Sequence, residues 1–381
     1  MMRPMKLAGN QLMFGEGCLE FLKDIPTKRA IIVTGGKSMK RCGILDEVKN
    51  YLQSSGAEVD IFEGVEPDPS FATVMRGVEQ MNQFKPDLII ALGGGSPMDA
   101  AKGMWVYYEY PEFKTLDDVL KANPFPKLGK KARLCCIPST SGTASEVSRS
   151  FVLSDENGVK HGFGNMELMP NIAICDPKVT CSMPPHITAE TGMDAMTHAL
   201  EALVSNRANY VSDTLVRRAI VDIYNNLPIA YENGNDTKAR EIMLNASMIA
   251  GMAFTNVSLG IVHSMAHTIG SIFHVSHGLA DAIILPYIIR YNSKDEKAKS
   301  LYDSVAKSLN GNNMAEIIEN INEKLNIAKS LKEVIPNQGD YCNKYSEMAK
   351  MALADGCTKT NPIIPSEDEM KKLFEIVYFG K

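Results

Sequence analysis

The sequence predicts an α/β domain with a parallel sheet over residues 1–185, followed by an all-α domain over residues 186–381. Up to Pro184-Pro185, short apolar runs alternate with helical patterns, which is typical of a parallel sheet covered by helices on both faces. Beyond this pair, long segments with helical periodicity, rich in Ala, Met and Leu, replace the apolar runs. The length of 381 residues is enough for two cores of ordinary size.

Six apolar runs in the first half are predicted strands, and two segments between them are predicted helices. The strands cover residues 30–35, 58–62, 87–92, 134–138, 151–155 and 172–176, and the helices cover about 44–53 and 71–81. In the second half, helices are predicted over 188–204, 213–225, 238–254 and 259–271. The C-terminal stretch continues the helical pattern, with turns at Gly311 and Pro336.

The composition and charge exclude several classes of protein. The net charge of −5 provides no broad basic face for phosphates, so no nucleic-acid partner is expected. No apolar run approaches the roughly 20 residues that cross a bilayer, and the N-terminal segment lacks the pattern of a signal peptide, so no membrane partner is expected. The eight cysteines include no Cys-x-x-Cys pair, which indicates reduced thiols and a cytoplasmic location.

Three consecutive glycines follow the strand predicted at 87–92 and precede a predicted helix, in the segment DLIIALGGGSPMDAAK. We expect Ser96 to be the N-cap of this helix and Pro97 its first residue, with Asp99 in the first turn. Glycines let a backbone approach a pyrophosphate closely, and a helix N-terminus offers it unpaired N–H groups. The segment is neither G-x-G-x-x-G nor a Walker loop, and a tight, well-capped turn is the alternative.

A second loop of small and hydroxyl residues, PSTSGTASEV (138–147), also follows an apolar strand. Two such loops at the ends of parallel strands suit a nucleotide bound across the sheet edge, whereas a polar surface loop is the alternative. We therefore predict that the first domain binds a dinucleotide.

The turn after the first predicted strand bears on the choice of dinucleotide. An acidic residue there would bind both ribose hydroxyls and repel a 2′-phosphate. The turn TGGKSMKR instead contains several basic residues together with Gly36 and Ser38, which are candidate cofactor-binding residues. This composition is compatible with NADP and equally with a plain turn, so NAD and NADP both remain open.

Two pairs of potential metal ligands have helical spacing in the second half. Asp194 and His198 are four residues apart, as are His263 and His267, so each pair lies on one face of a helix. One carboxylate with several imidazoles is a normal ligand set for iron or zinc, although a lone buried histidine is usually structural. Ser264 stands where a zinc protease of the His-Glu-x-x-His type needs its general base, so a hydrolase is disfavoured.

The motifs GGGSPMDAAK, PSTSGTASEV, GMDAMTHALEA, HSMAHTIG and HGLADAIILP occur in this order, and together they resemble the iron-containing (group III) alcohol dehydrogenases. Within that family the chain looks most like the bacterial butanol and propanediol dehydrogenases and related aldehyde reductases. The resemblance spans nearly the whole chain. It implies an NAD(P)H-linked oxidoreductase that acts on small primary alcohols and aldehydes with one divalent metal, Fe2+ as the first choice and Zn2+ as the alternative.

The resemblance also implies roles for individual residues. The metal is expected to be held by Asp194, His198, His263 and His277. The cofactor is expected to be lined by Gly94, Gly95, Ser96, Asp99, Ser139, Thr140, Thr143 and Lys160. His267 is the candidate catalytic residue, as a proton relay, and it is expected to line the substrate cleft together with Cys357.

Arg149 stands where many relatives have smaller or apolar residues, and it is a candidate substrate residue. An arginine in the cleft would favour an anionic aldehyde such as sulfoacetaldehyde or a semialdehyde, whereas a surface arginine is the alternative. A lyase resembling dehydroquinate synthase is the alternative from another class of enzyme, but it would need a strongly basic pocket. We also expect the chain to form a homodimer or a larger homo-oligomer.

Overall fold

The computed structural model describes residues 4–381, so the first three residues of the N-terminal segment, where no signal peptide is expected, lie outside it. The chain divides into two compact units, the first ending at Met183 and the second running from Pro184 to Lys381. Two hydrophobic clusters form the core of the first unit, and one large cluster forms the core of the second.

The main sheet of the first unit has six strands, all parallel, which confirms the predicted fold class. Its spatial order is β1-β8-β5-β4-β2-β3. The strands are β1 (Gln11–Phe14), β2 (Arg29–Thr34), β3 (Glu58–Phe62), β4 (Leu88–Gly93), β5 (Arg133–Pro138) and β8 (Ile172–Cys175). Between β5 and β8 in the sequence, β6 (Ser150–Ser154) and β7 (Lys160–Gly164) form a separate antiparallel hairpin.

Two features of the strands differ from the sequence prediction. The run at 151–155 is a strand, but it belongs to the hairpin and not to the parallel sheet. In β6 buried and half-buried residues alternate, as in a strand with one covered face, whereas β4 and β8 are buried throughout. The sequence does not predict β1 and β7, because their short runs of partly exposed residues carry little apolar pattern.

The inner strands are continuously apolar because both faces of the sheet are covered. Ile89 and Ala91 of β4 belong to the cluster on one face, and Leu88 and Ile90 belong to the cluster on the other. Helices α3 and α4 contribute to the first of these clusters, and α2 contributes to the second. The helices of this unit are α1 (Ser38–Arg41), α2 (Ile44–Ser54), α3 (Phe71–Phe84), α4 (Gly95–Glu109) and α5 (Leu116–Leu120).

The described part of the second unit contains helices and turns but no strand, as predicted. Its four predicted helices are each observed, with ends that differ from the predicted ones by up to seven residues. The α-helices are α6 (Pro185–Val204), α7 (Tyr210–Glu232), α8 (Thr237–Val257), α9 (Ile261–Phe273), α10 (His277–Asn292), α11 (Glu296–Ser308), α12 (Met314–Lys324), α13 (Gln338–Asn343), α14 (Tyr345–Ala354) and α15 (Glu367–Phe379). Among the described residues no single helix is long and apolar enough to cross a membrane, although α8 and α9, bent by 101°, meet the length and composition criteria as a pair.

A buried lysine connects α4 to the second loop and to the strand that follows this loop. Lys102 Nζ donates hydrogen bonds to Ser145 Oγ at 2.9 Å and to the carbonyl oxygen of Ser150 at 2.8 Å. Asp99, one turn earlier on α4, accepts hydrogen bonds from Ser145 Oγ and from the backbone N–H of Val152. The neighbouring Glu146 is also buried, and burial raises the pKa of its carboxyl from 4.5 to about 7.

We expect the stability of the protein to fall as the pH rises from about 4.5 to about 7, in part because of Glu146. The folded state holds the proton of this carboxyl up to a higher pH than the unfolded state does, so folding is favoured by protonation within that window. Glu146→Gln keeps the shape without the charge, and above pH 7 it should increase the free energy of unfolding by about 3 kcal/mol. Below pH 4.5 the two proteins should have equal stability.

Urea unfolding at pH 4, 5.5 and 8 measures this difference. Glu156→Gln, an exposed position in the same unit, is the matched control. If the difference in free energy of unfolding between Glu146→Gln and the wild type does not change with pH, the raised pKa of Glu146 is contradicted.

Candidate functional site

The four predicted metal ligands converge in the second unit around one carboxylate oxygen. Asp194 and His198 lie one turn apart on α6, and the distance from Asp194 Oδ1 to His198 Nε2 is 3.4 Å. His263, in the first turn of α9, places its Nε2 3.7 Å from the same oxygen. His277, the first residue of α10, places its Nε2 3.9 Å from it. Three helices thus bring one carboxylate and three imidazoles together.

A glycine allows α10 to approach α6 closely enough for this convergence. A Cβ atom at Gly278 would lie 2.2 Å from the carbonyl oxygen of Glu190, which is backbone and cannot move aside. Gly278 directly follows His277, and Glu190 lies one turn before Asp194 on α6. The missing side chain therefore sets the distance between two of the helices that carry the ligands.

The cluster has the properties of a cation site. Asp194 Oδ1 and His263 Nε2 are buried atoms that make no hydrogen bond. Burial opposes ionisation of Asp194, but His198, His263 and His277 outweigh it and lower the pKa of this carboxyl. Burial likewise opposes protonation of His263, while Asp281 and Glu201 raise its pKa. Because buried polar atoms without partners are costly, these atoms fit a bound divalent cation, which would satisfy them together.

Glu201 and Asp281 belong to this cluster, and the sequence analysis missed both. Glu201 accepts a hydrogen bond from the backbone N–H of Val262 at 2.7 Å, and its other oxygen is 2.6 Å from His263 Nδ1. Asp281 Oδ2 lies 3.1 Å from His277 Nε2. Helical spacing could have indicated them, because Glu201 is seven residues after Asp194 and Asp281 is four residues after His277.

The predicted substrate residues His267 and Cys357 lie beside the same carboxylate, Asp355, which the sequence analysis also missed. His267 Nδ1 is 2.7 Å from Asp355 Oδ2, and the backbone N–H of Cys357 donates to Asp355 Oδ1 at 2.8 Å. The imidazole of His267 stacks on that of His277, with ring centroids 5.2 Å apart. His267 is therefore adjacent to the metal cluster, and its side chain is 40% exposed.

In the first unit, the glycine-rich turn and the second loop are in contact. A Cβ atom at Gly94 would lie 3.3 Å from Thr140 Cγ2, and one at Gly95 would lie 3.0 Å from Thr143 Cγ2. The backbone N–H of Ser139 donates to the carbonyl oxygen of the glycine before Gly94 at 2.8 Å. Five of the predicted cofactor residues thus lie next to one another where β4 and β5 end.

The predicted N-cap of α4 is wrong. The helix begins at Gly95 and its N-cap is Gly94, while Ser96 lies inside the first turn and Pro97 is the third helical residue. The N-cap makes no side-chain hydrogen bond, because glycine has no side chain. The backbone N–H groups of the first turn are consequently not capped by a side chain, which suits the binding of an anion.

Four other predicted site residues of the first unit come from other segments of the chain. Ser38 begins α1 directly after β2, and a Cβ atom at Gly36 would meet no atom within 4 Å. Lys160, on β7, forms an ion pair of 2.8 Å with Asp68. Arg149 precedes β6, and its carbonyl oxygen accepts a hydrogen bond from Asn165. The roles of these four residues stay predictions.

An α/β unit with adjoining glycine and threonine loops, followed by a helical unit with a carboxylate–histidine cluster, has the parts of a metal-dependent dehydrogenase. Comparison with known proteins agrees with this class. A family model described as iron-containing alcohol dehydrogenase matches residues 9–177, and one described as the C-terminal region of the Fe-containing alcohol dehydrogenase family matches residues 188–378.

Individual relatives match over nearly the whole chain. The NADPH-dependent butanol dehydrogenase of Clostridium saccharobutylicum is 46% identical over 379 residues, which are 97% of this chain and 96% of the relative. Aldehyde-alcohol dehydrogenase 2 of Entamoeba histolytica is 38% identical over 97% of this chain, which spans 46% of that longer protein. The structure of an iron-containing alcohol dehydrogenase from Thermococcus thioreducens superposes with a TM-score of 0.93 at 33% identity, covering 99% of this chain and 100% of that chain.

The chain therefore belongs to the iron-containing alcohol dehydrogenase family. It is an NAD(P)-dependent oxidoreductase of alcohols and aldehydes, which confirms the predicted class of enzyme. The lyase and hydrolase alternatives are not supported. The predicted nicotinamide cofactor and divalent metal agree with this family.

We expect Glu201→Gln to weaken metal binding about 10- to 100-fold. The carboxylate of Glu201 accepts the proton of His263 Nδ1, which leaves Nε2 with a lone pair for a cation. A glutamine amide can donate to Nδ1 instead and thereby favour the tautomer with a proton on Nε2. Chelator competition with Co2+ measures the affinity, and Glu232→Gln, an exposed position in the same unit, is the control. Equal affinities for Glu201→Gln and the control would contradict this role.

Proposed function

We propose that Asp194, His198, His263 and His277 hold one divalent cation, Fe2+ in preference to Zn2+. We propose that the enzyme uses this centre to interconvert small primary alcohols and aldehydes with NAD(P)H. The observation that carries the proposal is the convergence of these side chains around a buried carboxylate oxygen that makes no hydrogen bond. The name of the butanol dehydrogenase relative supports a short, uncharged alcohol.

The cation would supply a Lewis acid that favours ionisation of the alcohol or polarises the carbonyl group, and the nicotinamide would accept or donate the hydride. The residues of the chain orient these groups and handle the proton. Glu201 fixes the ring of His263 through its Nδ1, and Asp355 does the same for His267. We propose that His267, half-exposed and stacked on His277, passes the alcohol proton to solvent.

We propose that Gly94, Gly95 and Ser96 bind the pyrophosphate of the cofactor through their backbone N–H groups, with Thr140 and Thr143 beside them. The contact between the two loops supports this. Asp99 is the exception among the predicted cofactor residues, because both of its carboxylate oxygens accept hydrogen bonds from the 145–152 segment. We assign it the role of positioning the second loop.

We propose NADPH as the preferred cofactor. The turn with Gly36 and Ser38 has no acidic side chain to repel a 2′-phosphate, and the butanol dehydrogenase relative is NADPH-dependent by name. A small anionic aldehyde is the alternative substrate, and Arg149 is the single residue that favours it.

We also propose a cytoplasmic homodimer. No cysteine among the described residues forms a disulfide bond, which suits a reducing compartment.

Asp194→Ala and His263→Ala should each fail to retain the metal. We also expect kcat/KM for butanal to fall at least 1,000-fold in each variant. This factor corresponds to about 4 kcal/mol, the order of magnitude that an electrostatic group contributes to stabilising a transition state. Metal content by elemental analysis and initial rates with NADPH measure both quantities. His186→Ala, an exposed histidine at the start of α6, is the matched control and should keep both. Full activity of metal-depleted wild type would overturn the proposed function.

Gly36→Asp should shift the cofactor preference toward NADH by at least 10-fold in the ratio of kcat/KM values. The added carboxylate has open space around it and would repel a 2′-phosphate while it accepts hydrogen bonds from ribose hydroxyls. Gly339→Asp adds the same charge at an exposed position of the second unit and should leave the ratio unchanged. If the ratio of kcat/KM values with NADH and NADPH is unchanged in Gly36→Asp, the 2′-phosphate does not bind next to this turn.

A further inference from the structure

Asp281 is a buried carboxylate whose oxygens make no hydrogen bond. It lies on α10, one turn after His277, and its exposed fraction is 0%. Neither Oδ1 nor Oδ2 has a hydrogen-bond partner. A buried carboxylate normally accepts hydrogen bonds or coordinates a cation, because the loss of its hydration is otherwise uncompensated.

The carboxylate of Asp281 points into the metal cluster. Its Oδ2 is 3.1 Å from His277 Nε2, without the geometry of a hydrogen bond, and its Oδ1 is 4.0 Å from His263 Nδ1. One ligand atom each from Asp194, His263, His277 and Asp281 can be chosen so that all four lie within 4.8 Å of one another. Asp281 thus lies together with Asp194, His263 and His277, three of the four predicted ligands.

The distance from Asp281 to His277 is that of two atoms that share a cation. With metal–ligand bonds of about 2.0–2.2 Å, ligand atoms in adjacent positions are about 2.8–3.6 Å apart. The separation of Asp281 Oδ2 from His277 Nε2, 3.1 Å, falls in this range, as does the 3.4 Å between Asp194 Oδ1 and His198 Nε2. The distances from Asp194 Oδ1 to His263 and His277, 3.7 and 3.9 Å, are slightly longer.

We infer that Asp281 is a second carboxylate ligand of the metal centre, in addition to Asp194 and the three histidines. This inference rests on the proposed function. A cation would give the oxygens of Asp281, like Oδ1 of Asp194, the partner that they lack among the described residues. A fifth protein ligand also departs from the four-coordinate tetrahedral geometry that zinc prefers, so Asp281 favours Fe2+ or Co2+ over Zn2+.

The test compares metal binding by Asp281→Asn and by the wild type, using Co2+ as the probe. Asparagine keeps the shape of the side chain but removes its charge. We expect at least 10-fold weaker Co2+ binding in chelator competition, and more intense visible bands of the bound Co2+, because absorption by Co2+ strengthens as its coordination number falls. The ratio of Co2+ to Zn2+ affinity should fall as well.

Asp303→Asn makes the same change on the exposed surface of α11 and should leave all three measurements unchanged. Thermal unfolding shows whether Asp281→Asn is folded. If it is not, Asp281→Ala is tested in its place. Equal Co2+ affinity and equal bands in a folded Asp281 variant and the wild type would overturn the inference while the proposed function stands. A wild type that binds no Co2+, Fe2+ or Zn2+ would overturn both.

Discussion

The second unit is organised around the desolvated carboxylate of Asp194. A carboxylate that has lost its hydration needs favourable interactions with its surroundings, and here three imidazoles stabilise its negative charge. Asp194 and the three histidines lie on α6, α9 and α10, so the packing of these three helices forms the cluster. Glu201 extends the arrangement outward, because one side chain holds both the backbone of α9 and the ring of His263.

In the first unit the corresponding constraint is contact between two loops. Neither Gly94 nor Gly95 has a positive φ, but a side chain at either position would press tightly against Thr140 or Thr143. The N-cap of α4 provides no side-chain hydrogen bond to the first turn of the helix. The buried side chains of Lys102 and Asp99 form hydrogen bonds to the 145–152 segment and thereby fix its position.

The sequence predicted most of the fold, because the fold depends on short-range periodicity, and the four predicted ligands are brought together in the structure. Continuous apolar runs indicated buried strands, and the four-residue spacing of Asp194 and His198 indicated a shared helical face. The errors concern tertiary context. Ser96 has the chemistry of an N-cap, but the helix begins one residue before it, at Gly95, where a Cβ atom would press against Thr143 of the second loop. Asp355 is an ordinary acidic residue in the sequence, far from His267 along the chain, and only the tertiary structure shows that its carboxylate lies beside that histidine.

The close approach at Gly278 has a consequence for which ions the centre can admit. Because backbone meets backbone there, the gap between α6 and α10 cannot widen through a change of rotamer. The backbone positions that carry Asp194 and His277 are therefore held at a nearly constant separation. Ca2+ prefers six to eight oxygen ligands, so a cluster with three imidazoles suits it poorly whatever this separation is.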